Sequence, residues 1–160
     1  MTFFAKDRDE IFEIEKSKLL KSMGQGVKTV EFIMYTGNRI RFIEAKESAP
    51  NSDNKEDFDE YIEMVFEKFV HSMDLFFAVL LNRKEDNHAE VSERIKFADM
   101  KTTNIILLLV IKSHPDKALL PITEALKRSL RRHMKTWNLD VLAINYETAL
   151  KWKLVKKAAT

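Results

Sequence analysis

Seven consecutive residues, Ile105 to Ile111, are apolar without a break inside the stretch NIILLLVIKS. A strand with one wet face alternates apolar and polar residues, whereas a strand covered on both faces has no reason to. The run therefore predicts an interior strand of a sheet with helices on each side. It is far too short to cross a bilayer, which takes about 20 residues. A second buried strand follows at LDVLAINY, and the residues between the two carry a helical pattern. Strands joined by helices favour parallel neighbours and right-handed crossovers.

Upstream, KTVEFIMYTGNRIRFIEAKES gives two strand-like segments around Thr36-Gly37-Asn38, a hairpin turn with its glycine where a positive φ is needed. From residue 56 to 83, Phe58, Ile62, Val65, Phe66, Phe69, Val70, Met73, Phe76, Phe77 and Leu80 hold a helical period, which predicts one long, heavily buried helix. Residues 7–23 place Ile11, Ile14 and Leu19 at helical spacing before Gly24 and Gly26, so a first helix is expected there. The polar stretch 84–100 reads as a loop with a short helical turn. Pro121 is expected to open the helix PITEALKRSLRRHMKTW, and ETALKWKLVKK to close the chain as an amphipathic helix. The fold class expected is α/β: a mixed central sheet, an antiparallel hairpin plus two strands joined by helices, with helices on both faces. A chain of 160 residues can bury such a core as a single domain, 1–160.

Composition removes several chemistries. With no cysteine there are no disulfides, thiolate metal sites or cysteine nucleophiles, and three glycines are too few for a glycine-rich phosphate loop. The four histidines show no zinc spacing. MTFFAKDRDE carries no apolar core of signal-peptide length, so a cytoplasmic protein with no membrane partner is expected.

The net charge of +2 conceals an asymmetry: residues 1–100 hold 15 basic against 21 acidic side chains, and residues 101–160 hold 12 against 4. A basic third can attract a polyanion through phosphate contacts, or the two parts can neutralise one another. Lys127, Arg128, Arg131, Arg132 and Lys135 share one helical stretch with like charges three and four apart, a repulsion that a polyanion or an acidic partner would relieve. Lys112 and His114 end the interior strand, where ligand sites gather in α/β sheets. Lys112, His114, Lys127, Arg128, Arg131 and Arg132 are therefore the candidate nucleic-acid contacts, with DNA as the expected partner. The aromatic residues of helix 56–83 spread widely enough for a second copy to pack on one flank as a homodimer.

Glu44 and Lys46 stand two apart at the end of the second hairpin strand, so both project to one face, and Glu31 lies on the paired strand. Acidic-x-Lys also occurs at Asp53-Asn54-Lys55 and Asp99-Met100-Lys101, but only Glu44-Ala45-Lys46 ends a strand with a carboxylate opposite. Two carboxylates and a backbone carbonyl form an all-oxygen set of the kind Mg²⁺ accepts. The same residues, with Arg39 and Arg41, could instead be cross-strand ion pairs on a wet face. A turn at Thr36-Gly37-Asn38 would pair Tyr35 with Arg39 and Glu31 with Ile43, so placing Glu31 on the face of Glu44 takes a shift of one residue.

VEFIMYTGNRIRFIEAKES resembles the core hairpin of the restriction-endonuclease-like, PD-(D/E)xK nuclease superfamily, with Glu where the first acidic residue is usually Asp. The resemblance implies Mg or Mn held by Glu31, Glu44 and the carbonyl of Ala45, with Lys46 catalytic and DNA phosphodiesters as substrate. It also implies a looser place for an N-terminal glutamate, Glu10 or Glu13. A non-catalytic interaction or nucleic-acid-binding protein on the same scaffold is the other reading.

Overall fold

The computed structural model describes residues 2–3 and 10–156. Its main sheet takes β2 (Ile11–Phe12), β3 (Phe32–Thr36), β4 (Arg39–Lys46), β5 (Asn104–Ile111) and β6 (Asp140–Asn145) in that spatial order; β1 (Thr2–Phe3) pairs separately with β7 (Val155–Lys156). β2, β3 and β4 are antiparallel, while β4, β5 and β6 are parallel. The mixed α/β sheet is as the pattern predicts, and the unbroken apolar run is its interior strand, buried from Leu107 to Ile111.

The helices are α1 (Lys18–Lys21), α2 (Lys55–Leu80), α3 (Glu93–Lys96), α4 (Asp116–Ser129), α5 (Arg131–Trp137) and α6 (Tyr146–Lys151). α2 and α4 cover one face, packing on Ile33, Ile40, Phe42, Leu107, Leu109 and Ala143. The short α6 covers part of the other, against Phe32, Ile43, Leu108, Val110 and Ile144. The α2 aromatics are spent within the chain: Phe69 and Phe76 are fully buried, and Phe76 meets the Phe42 ring edge-on at 5.5 Å. The exposed face of α2 carries Glu56, Asp57, Asp59, Glu60, Glu63 and Asp74, so a second copy would meet acidic surface there.

The hairpin turn is one residue tighter than expected. Gly37 and Asn38 both take positive φ, 55° and 57°, the two-residue type I′ geometry that matches strand twist. Thr36 therefore pairs with Arg39 and Tyr35 with Ile40, and the register slides by the one residue needed.

The expected first helix does not form. Residues 7–9 lie outside the described residues; beyond them, Ile11–Phe12 adds a strand to the free edge of β3. A 3-10 turn over Ile14–Lys16 follows, and Ser17 caps the single turn of α1 by accepting from the Leu20 N–H. Phe12 and Ile14 both reach the core, an alternation that competes with the helical period and wins where an edge is available to pair. Pro121 does not open its helix: α4 begins at Asp116 after Pro115, and Pro121 sits inside it. The closing helix stops at Lys151, where Lys153 takes a left-handed φ and the chain turns into β7.

No helix among the described residues is long and apolar enough to cross a membrane.

Candidate functional site at the end of strand β4

The β3–β4 ladder ends at Phe32–Ile43, while β4 runs on to Lys46 paired with β5 alone. The chain before β3 is drawn toward α2, because the Val30 N–H donates to Ser72 Oγ at 2.8 Å. One register step past the last pair sets Glu31 opposite Glu44, on the face shared by Ile33 and Phe42 and covered by α2. Ser72 is fully buried and also donates to the Lys68 carbonyl. Ser72→Ala should cost about 1–3 kcal/mol, because it strands a buried N–H next to Glu31. A fall in the urea unfolding midpoint at unchanged slope would measure it.

Glu44 is the centre. Its side chain is 1% exposed, with Oε1 2.8 Å from Lys68 Nζ and 3.0 Å from Lys46 Nζ. Its Oε2 is buried with no hydrogen-bond partner. Lys68 also reaches Glu15 Oε1 at 3.4 Å. Burial pulls the Lys68 ammonium down, but Glu44 and Glu15 outweigh it and hold its pKa above the ordinary value. The Tyr61 hydroxyl is buried without a partner, and burial together with Glu44 pushes its pKa up.

Glu31 is half-buried, and its carboxyl is raised by burial first, then by Glu44 and Glu15, with Lys68 and Lys46 opposing. A carboxyl that binds its proton more tightly in the folded chain contributes stability below its unfolded value of about 4.5 and loses it as pH rises through the folded pKa. Glu31→Gln should therefore be more stable than wild type at neutral pH, with the difference vanishing in acid. Thermal melts from acid to neutral pH read this directly.

Glu31, Glu44 and Lys46 are thus brought together, with Ala45 between the last two. Lys112 is not: it pairs with Glu47 at 2.9 Å, and strand alternation sets it on the α6 side. His114 is half-buried in the loop before α4. Arg128, Arg131 and Arg132 line a shallow cleft with Phe66, His133 and Lys135, whereas Lys127 lines a different one with Arg39 and Arg41. The basic stretch is therefore split between two surfaces. Of the N-terminal glutamates, Glu10 pairs with Arg94 and Glu13 with Lys16; Glu15 is the one that reaches the site.

Glu15, Tyr61 and Lys68 went unread in the sequence. Tyr61 and Lys68 lie seven apart on α2, beside the stripe of Phe58, Ile62, Val65 and Phe69, and polar groups bordering a buried stripe were the available signal.

Among the described residues, no group of three or more His, Asp or Glu side chains is gathered so as to hold a metal ion. What the site offers a cation is the unpartnered Glu44 Oε2 and the Glu31 carboxyl, whose ionisation burial, and then Glu44 and Glu15, oppose. Carboxylate oxygens are the ligand type that Mg²⁺ and Mn²⁺ take, and Mg²⁺ usually keeps several waters. No protein-family model matches the chain, and no curated protein or solved structure matches it.

Proposed function

We propose that the chain is a metal-dependent phosphodiesterase of the PD-(D/E)xK nuclease type, acting on DNA. The observation that carries the reading is Glu44: a buried carboxylate with one oxygen held by two lysines and the other unpartnered, facing Glu31 at a strand end. Mg²⁺ or Mn²⁺ at Glu31, Glu44 and the Ala45 carbonyl would supply Lewis acidity and a water of lowered pKa. Lys46, a quarter exposed, is placed by Glu44 and can orient the attacking water or stabilise charge developing on the phosphoryl oxygens. Lys68 holds the Glu44 carboxylate from the α2 side. The Arg128, Arg131 and Arg132 cleft supports contact with a nucleic-acid backbone. The reading includes a reducing, cytoplasmic setting, which a chain without cysteine suits.

Plasmid and single-stranded DNA incubated with the protein in Mg²⁺ or Mn²⁺ test this. Cleavage that Lys46→Ala and Glu44→Ala abolish is the expected result; cleavage that survives Glu44→Ala overturns it.

One observation favours a second reading. Lys46 and Lys68 neutralise Glu44 without any cation, as on a scaffold that binds nucleic acid or a partner and performs no chemistry. Titration calorimetry separates the two, since only the first predicts Mn²⁺ binding that Glu31→Gln weakens.

A further inference from the structure

The geometry points to a second ligand site, for a nucleotide, on the face of the sheet opposite Glu44. It stands independently of the phosphodiesterase reading. Register sets Arg41, Ile106 and Asp140 side by side on β4, β5 and β6, with Leu108 and Leu142 in the next row on the same face. Neighbouring strands lie about 4.8 Å apart, so the backbones of Arg41 and Asp140 stand roughly 10 Å apart across an apolar floor, and Arg41 turns to Thr36 rather than to Asp140. Among the described residues, the six of α6 leave this part of the sheet uncovered, and Ile106 and Leu142 are only partly buried. Trp152, just past α6, is 50% exposed at the rim. Arg39 and Lys127 complete the lining of a cleft of about 590 Å³, within the size range of small-molecule sites.

The charges are arranged for a ligand. Arg41 donates to Thr36 Oγ1 at 2.8 Å, which fixes its guanidinium, and burial and then the neighbouring Arg39 pull its pKa down. Among the described residues neither arginine has a carboxylate within ion-pair distance. An anion bridging the two would relieve that repulsion. At the far side Asp140 can only accept a hydrogen bond. The occupant that satisfies every part has a phosphate for Arg39 and Arg41 and a flat body for the Ile106–Leu142 floor and the Trp152 indole. It also has an N–H donor for Asp140. A nucleoside monophosphate has all three, and stacking of a base on an aromatic side chain beside cationic groups is a recurring way of holding nucleotides.

Adenosine 5′-monophosphate titrated into the full chain by calorimetry, beside inorganic phosphate and adenosine, tests the site. Saturable binding of the nucleotide is expected, with phosphate and adenosine each far weaker. Trp152→Ala and Arg39→Ala, both at exposed positions and checked by circular dichroism, should each weaken binding roughly tenfold. Glu44→Gln should leave it unchanged, since Glu44 lies on the other face. Phosphate binding as tightly as the nucleotide would reduce the site to a bare anion patch and overturn the proposal. So would nucleotide binding indifferent to Trp152→Ala, or no saturable binding.

Discussion

Glu44→Gln is expected to lower Mg²⁺- or Mn²⁺-dependent DNA cleavage on the order of 10²–10³-fold while leaving the chain folded. Glutamine keeps the volume of the side chain and a carbonyl oxygen that Lys46 or Lys68 can still donate to, so the packing beneath α2 has little cause to change. What it removes is the negative charge, and with it the second oxygen that lies buried without a partner. That oxygen has no structural partner, so its loss should register in chemistry, while the loss of the charge beside Lys46 and Lys68 lowers stability without unfolding the chain. Initial rates on supercoiled plasmid, with far-ultraviolet circular dichroism of the same samples, give both halves of the result. An undiminished rate would remove Glu44 from the reaction.

The placing of Glu44 and Lys46 on one face could be read because both sit on a strand with a clear pattern. Glu44 and Lys46 end a strand, and period-two alternation puts them on one face whatever happens elsewhere. The relation to Glu31 was harder, because it hangs on whether the turn spends two residues or three. Asn38 decides it: asparagine tolerates the left-handed conformation better than most residues, so it can follow Gly37 in a type I′ turn, and the register moves by one. That single residue carries Glu31 from the α6 face to the face of Glu44.

The interior strand was legible for a simpler reason, since an unbroken run such as Leu107 to Ile111 has no wet face to accommodate. The segment around Ile11 was not. Four or five apolar residues fit a helix and an edge strand alike, and the choice was made by a partner, β3, that lies twenty residues downstream. Lys68 escaped for a related reason. Its neighbours Phe66 and Phe69 mark a helix, but nothing local says that the turn between them overhangs a strand end with a buried carboxylate.

Lys68→Met should destabilise the fold by about 3 kcal/mol, because breaking a buried pair leaves the remaining charge without its closest partner. The Lys68 side chain is 15% exposed and that of Glu44 1%, so the carboxylate is the member that water cannot rescue. Lys46 would remain on Glu44 Oε1, but Oε2 would still have nothing. The double variant Glu44→Gln, Lys68→Met places two neutral side chains of similar volume together. It should therefore be more stable than the two separate losses predict, and even than Lys68→Met alone. Urea unfolding of the four proteins yields the coupling directly. The pH dependence has a definite sign: the Lys68 ammonium is held above its ordinary value of 10.5, so its contribution is full below that value and is lost as pH rises through the folded pKa. The wild type and Lys68→Met should thus differ by a constant amount through neutral pH and converge only in strong alkali. Strict additivity in the cycle would mean that Glu44 draws its support from Lys46 alone, and that α2 covers the strand end without holding it.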